Sequence, residues 1–151
     1  MIKVLGKTLL LTVLMGTHQA WASCWDEVAR RYDIEPELLQ AIAAVESGYR
    51  AGATNSGNSD GSRDIGLMQI NSMHLPRLAK QGITEQRLLS EPCLSVEVGA
   101  SILAGFIQRF GYNWTAVGSY NAGAAPEREA SRLRYAERIW ARYEALVAQR
   151  R

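Results

Sequence analysis

Cysteine, histidine, excess charge of one sign and long apolar runs are all scarce in this chain of 151 residues, and each scarcity closes off a class of function. The N-terminal apolar run, Leu9 to Met15, is far shorter than the roughly 20 residues that span a bilayer, so no stable membrane span is expected. With Lys3 and Lys7 before it and Ala20-Trp21-Ala22 after it, the run reads instead as a signal peptide over 1–22. Cleavage there would leave 23–151 as one mature domain, exported to the periplasm. The leader holds two of the 17 basic residues and none of the 15 acidic ones, so the mature chain is neutral and gives no support to a nucleic-acid partner. The arginines near the C-terminus interleave with Glu127, Glu129, Glu137 and Glu144, as on a solvated helix face. His74 has no neighbouring ligands, so neither a metal nor another cofactor is expected. The two cysteines, Cys24 and Cys93, read as one disulfide in an oxidising compartment; two unrelated buried thiols are the alternative.

What is present is helical periodicity over most of the chain. The pattern predicts a first helix over Cys24–Tyr32 capped by Ser23, and a second that starts at Pro36 and carries Leu38, Leu39, Ile42 and Val45. From Gly48 to Asp64 the composition becomes Gly, Ser, Asn, Asp and Thr, a polar loop with little β-character. An amphipathic helix follows Pro92, a shorter one spans Trp114–Tyr120, and the last runs from about Ser131 to Val147, with Ala136, Ile139, Trp140, Tyr143 and Leu146 inward. Trp25, Trp114 and Trp140 are expected to pack the core. With no repeat and no linker, the expected fold is a single all-α domain, α+β at most through a small active-site hairpin.

Glu46 breaks this pattern. It lies seven residues after Leu39 and four after Ile42, inside their apolar stripe. Burial and the partial negative charge of the helix C-terminus both favour its protonated form, as a general acid at neutral pH requires. A structural carboxylate tied to an arginine or to backbone amides is the competing reading. Asp64 closes the polar loop Asn58-Ser59-Asp60-Gly61-Ser62-Arg63, in surroundings opposite to those of Glu46. Two carboxyls in opposed environments suit glycosidic bond cleavage, although Asp64 by composition alone is a turn or cap residue.

Three motifs then stand in order: Glu46-Ser47, Gly66-Leu67-Met68-Gln69-Ile70-Asn71, and Tyr120-Asn121-Ala122-Gly123, with Tyr135-Ala136 near the end. On these residues the chain resembles the lytic transglycosylase family with the lysozyme-like fold, over nearly the whole mature length. Its size and two cysteines look most like the small subgroup associated with secretion systems, pili and conjugation machines. The segment from Asn58 to Ser72 also resembles the active-site hairpin of c-type lysozymes, where the residue matching Asp64 is a second catalytic carboxylate.

The resemblance implies that Glu46 protonates the glycosidic oxygen between N-acetylmuramic acid and N-acetylglucosamine. It then acts as base while the muramyl C6 hydroxyl closes a 1,6-anhydro ring. It implies that Tyr120 positions the glutamate, and that Ser47, Met68, Gln69, Asn71 and Asn121 line the glycan cleft. Gly66 and Gly123 would bring backbone close to the sugar. Asp64 would stabilise positive charge at C1 or, in a hydrolytic muramidase, support attack by water. A reading of a different class is a non-catalytic peptidoglycan-binding adaptor of an envelope-spanning secretion or pilus machine.

Overall fold

The protein is described here by a computed structural model covering residues 16–150. Most of the expected leader, residues 1–15, lies outside the described residues. Seven α-helices dominate: α1 Gly16–Tyr32, α2 Pro36–Ser47, α3 Leu75–Ala79, α4 Glu85–Ser90, α5 Pro92–Phe110, α6 Trp114–Ala122 and α7 Glu129–Arg150. Between α2 and α3 lies a three-stranded antiparallel sheet of two-residue strands, β1 Thr54–Asn55, β2 Asp64–Ile65 and β3 Ile70–Asn71, in the order β1-β2-β3.

Helix α2 begins where the sequence says it should. Pro36 occupies its first turn, where the missing N–H leaves no hydrogen bond unmade. It ends at Gly48, whose φ of 60° is the left-handed conformation of a helix C-cap; the Gly48 N–H returns to Ala44 and stops the helix two residues after Glu46. The face bearing Leu38, Leu39 and Ile42 is fully buried. It meets α7, whose own inward residues Tyr135, Ala136 and Ile139 are buried in turn. Helix α5 is long and apolar enough to cross a membrane by length and composition. In this fold it packs on α1 and α6 instead, and Val96, Ala100 and Leu103 are buried in the core.

Three sequence expectations are corrected, and one stretch without an expectation gains two helices. Helix α1 runs through Ser23 without a break, because nothing in Ala20-Trp21-Ala22 interrupts a helix, so Ser23 does not cap it in this chain. The loop after Gly48 carries the small sheet, too short for a period-2 pattern to register. Two short helices, α3 and α4, fill the stretch before Pro92; Leu78 and Leu88 are their buried anchors. Trp114 and Trp140 are 36% and 43% exposed and pack edge-to-face on each other beside Tyr143, at 5.0 Å between centroids. Of Trp25, Trp114 and Trp140, Trp25 alone lies in the core.

Cys24 of α1 and Cys93 of α5 form a disulfide, with Cα atoms 5.9 Å apart. It closes a loop of 69 residues that contains α2, the sheet and α3–α4. In the chain-entropy model such a loop stabilises by roughly 4 kcal/mol. The double substitution Cys24→Ser, Cys93→Ser is expected to lower the unfolding free energy by that order in a denaturant titration. An unchanged midpoint would mean that the packing of α1 on α5 holds the fold without the crosslink.

Candidate active site

The site is a polar cleft of about 330 Å³ between the sheet and the helices. Glu46 enters it from the last turn of α2, Asp64 from β2, Gln69, Ile70 and Asn71 from the turn and β3, Ile102 from α5, and Tyr120 and Asn121 from α6. Asn58, Ser59, Asp60 and Ser62 of the β1–β2 loop form one lip, and His74 and Arg128 complete the wall.

Glu46 is the chemically unusual group. Burial raises its carboxyl to about 7 from an ordinary 4.5, because desolvation penalises the anion. A hydrogen bond from Tyr135 opposes that shift, Asp64 adds to it by like-charge repulsion, and the positive charge of Arg138 opposes it. The Tyr135 hydroxyl donates to Glu46 Oε1 at 2.6 Å, and the ring itself is buried between α7 and α2. Burial and the adjacent Glu46 push the Tyr135 phenol well above the usual range, so it remains a hydroxyl donor. The result is a carboxyl held in one place and able to give up or take back a proton near neutral pH.

Asp64 has a different set of partners, and the strand register explains them. Asn55 on β1 and Asn71 on β3 both lie directly across from Asp64. Side chains opposite one another in antiparallel strands share a face. Asn71 Nδ2 donates to Asp64 Oδ1 at 2.9 Å, while Asn55 and Asn58 donate to Oδ2 at 3.3 and 3.0 Å. Ser62 accepts from both Asn58 and Asn71 and ties the loop into the same network. Asp64 therefore acts as an acceptor towards three amides, whereas Glu46, half-buried in the cleft wall, accepts from one hydroxyl.

Of the expected site residues, the cleft collects Glu46, Asp64, Gln69, Asn71, Tyr120 and Asn121. Three others belong to the scaffold. Met68 is completely buried, with its N–H donating to Ser95 Oγ and its carbonyl accepting from Tyr120. Ser47 is buried at the end of α2, and its hydroxyl donates to the Leu67 carbonyl at 2.7 Å, which fixes the motif loop against the helix. Gly66 faces α4 rather than the cleft: φ is +75°, and a Cβ would stand 2.6 Å from the Leu88 carbonyl oxygen. Gly123, expected at the sugar, is the residue that ends α6. Gln69 keeps its place in the cleft wall with φ of 49°, held by its own Nε2 donating to the Gly66 and Ala53 carbonyls.

The role expected of Tyr120 is also reassigned. Its hydroxyl donates to the Met68 carbonyl at 2.8 Å, across the bare surface of Gly99, where a Cβ would come within 2.9 Å of it. The phenol that holds Glu46 is Tyr135, a residue noted in the sequence only as part of a motif. Its signal was present: Tyr135 lies four residues before Ile139, on the inward stripe of α7. His74 and Arg128 were not expected in the cleft because the turns that carry them have no periodic pattern.

A mostly helical domain with a buried glutamate facing an amide-bound aspartate across a polar cleft is a lysozyme-like fold, and structural comparison agrees. The chain resembles the X-ray structure of an inactive mutant of the lytic transglycosylase Slt from Pseudomonas aeruginosa with a TM-score of 0.66 at 20% identity, covering 87% of this chain and 24% of that one. The Transglycosylase SLT domain family matches residues 23–143, and the chain belongs to that family; its enzyme class is that of the peptidoglycan lytic transglycosylases. Invasion protein IagB of Salmonella typhimurium is 52% identical over 133 residues, spanning 88% of this chain and 82% of its own. Protein IpgF of Shigella flexneri is 46% identical over 132 residues, covering 87% and 86%. A peptidoglycan-binding-like protein of Escherichia coli O157:H7 is 39% identical over 152 residues, covering 95% and 91%.

The raised Glu46 carboxyl has a consequence for stability. Below about pH 4.5 the group is neutral whether folded or unfolded and carries no penalty. Between 4.5 and 7 the unfolded chain ionises first, and above 7 the full penalty of the buried anion is present. Glu46→Gln keeps the acceptor for Tyr135 and removes that penalty. It is expected to stabilise the fold at pH 8, on the order of 3 kcal/mol, and to change little at pH 4. Calorimetric midpoints of both proteins at the two pH values provide the check; an equal effect at both would deny the burial cost.

Proposed function

We propose that Glu46 cleaves the β-1,4 bond between N-acetylmuramic acid and N-acetylglucosamine in two proton transfers. In the first, the neutral carboxyl gives its proton to the glycosidic oxygen as the bond to C1 breaks, and N-acetylglucosamine leaves with a free hydroxyl. In the second, the carboxylate takes the proton of the muramyl C6 hydroxyl as O6 attacks C1. A 1,6-anhydro ring closes, Glu46 is again neutral, and no water is consumed. The observation that carries this reading is the half-buried carboxyl of Glu46 in the cleft wall, raised to about 7 and held by the hydroxyl of Tyr135. The attacking group belongs to the substrate, so high effective molarity replaces a protein nucleophile. Asp64, fixed by three amides, stabilises the positive charge that develops at C1. Asn121, Gln69 and Asn71 supply polar contacts to the strand.

Asp64 also favours a second reading, in which it supports attack by water and the enzyme is a hydrolytic muramidase. Mature protein incubated with purified sacculi separates the two by mass spectrometry of the soluble products. Anhydromuramyl ends are expected, and Glu46→Gln should reduce them by at least about a hundredfold. Reducing muramyl ends would move the assignment to the muramidase. No release by a folded protein would leave a peptidoglycan-binding adaptor.

The protein acts, on this reading, in the periplasm after cleavage before Ser23, opening the wall locally for an envelope-spanning secretion or pilus machine. The leader-like N-terminus supports the first part, and the similarity to an invasion protein supports the second. N-terminal sequencing of the exported protein is expected to begin at Ser23; an intact Met1 would refute the processing.

A further inference from the structure

We propose that Arg138 is a positioning residue for this reaction: its guanidinium, seated over the ring of Tyr135, stabilises the Glu46 carboxylate that exists only after proton transfer. The inference rests on the reading of Glu46 as the acid. Residues three apart on a helix are neighbours, and α7 places Arg138 directly beside Tyr135. The guanidinium carbon lies 5.4 Å from the centroid of the Tyr135 ring, within cation–π range. That ring is buried and its hydroxyl holds Glu46 at 2.6 Å. Arg138 itself is exposed, and among the described residues it makes no ion pair that would occupy its charge.

One ring therefore separates the guanidinium from the hydroxyl that holds the carboxyl. The positive charge favours the ionised form of both Glu46 and Tyr135. In its acid form Glu46 is neutral and gains little from a nearby cation. As its proton moves to the glycosidic oxygen, negative charge appears and the attraction grows with it. An interaction that strengthens only along the reaction raises the rate without tightening the ground state. The indirect placement matters as well. A direct ion pair would hold Glu46 ionised at rest and leave no acid, whereas a cation one aromatic ring away lets burial keep the proton on. The charged and titratable groups around Glu46 are Asp64 from β2, Tyr120 from α6, and Tyr135 and Arg138 from α7, with Asp60, His74 and Arg128 on the cleft wall. Among those whose charge acts on Glu46, Arg138 is the cation that opposes Asp64.

The test is the pH dependence of turnover on soluble glycan strands for the parent, Arg138→Gln and Arg138→Lys, with thermal midpoints to confirm folding. Activity should fall as pH rises through the Glu46 titration, because the acid is lost. Removing the cation favours the neutral carboxyl, so the descending limb of Arg138→Gln should move to higher pH. Its kcat on the acid plateau should drop about two- to fivefold, the scale of an exposed cation–π contact, with KM unchanged. Arg138→Lys should restore the position of the limb and most of kcat. A lower kcat with an unmoved limb would reduce Arg138 to ring packing and overturn the inference, as would parental behaviour of Arg138→Gln. If Glu46→Gln retained full activity, the acid assignment itself would fail; if it is inactive while Arg138→Gln is parental, only the role of Arg138 fails.

Discussion

The site depends on one contact, the hydrogen bond from Tyr135 of α7 to Glu46 of α2. It crosses 89 residues of sequence, and it exists only because the apolar faces of the two helices close on each other. That closure dries the carboxyl, which raises its proton affinity, while the phenol holds it in place and moderates the rise. A carboxyl buried without any partner would cost the fold several kcal/mol. One buried with a full set of donors would remain ionised. A single hydroxyl gives the intermediate condition that acid chemistry requires.

The sheet does the reverse for Asp64. Strands of two residues contribute little cohesion by themselves, yet their register sets Asn55 and Asn71 on either side of the aspartate. The network through Asn58 and Ser62 then fixes the loop that forms the cleft lip. The two carboxyls thus owe their difference to the partners their elements bring, one phenol at the end of α2 and three amides around β2. On the proposed mechanism that difference divides the acid from the charge stabiliser.

Much of the motif between Gly66 and Asn71 serves to hold these two walls together. Gly66 lets the chain pass α4, Met68 fills the space beneath Tyr120, and Ser47 ties the end of α2 to Leu67. Such residues resemble substrate contacts in a linear motif because they sit beside them in sequence. Met68 and Ser47 are buried, and Gly66 packs against α4. Leu67 and Met68, adjacent in the turn, are both fully buried, and Gln69 and Asn71 bring the chain back to the cleft.

The sequence alone determined the five longer helices, the cysteine pair and the anomaly of Glu46, because each is a local or periodic property. Leu39, Ile42 and Glu46 share a stripe whatever lies opposite, and Pro36 and Gly48 mark the ends of their helix in any fold. Tertiary structure alone decided which tyrosine holds the glutamate. Tyr120 and Tyr135 are both aromatic residues on inward faces, and only the packing of α7 on α2 puts one hydroxyl within reach while Gly99 diverts the other to Met68. The same applies to the amides around Asp64, which a two-residue strand register aligns with no periodic trace in the sequence. Long-range pairing chooses among chemically equivalent side chains, and that choice depends on shape, which the linear pattern does not carry.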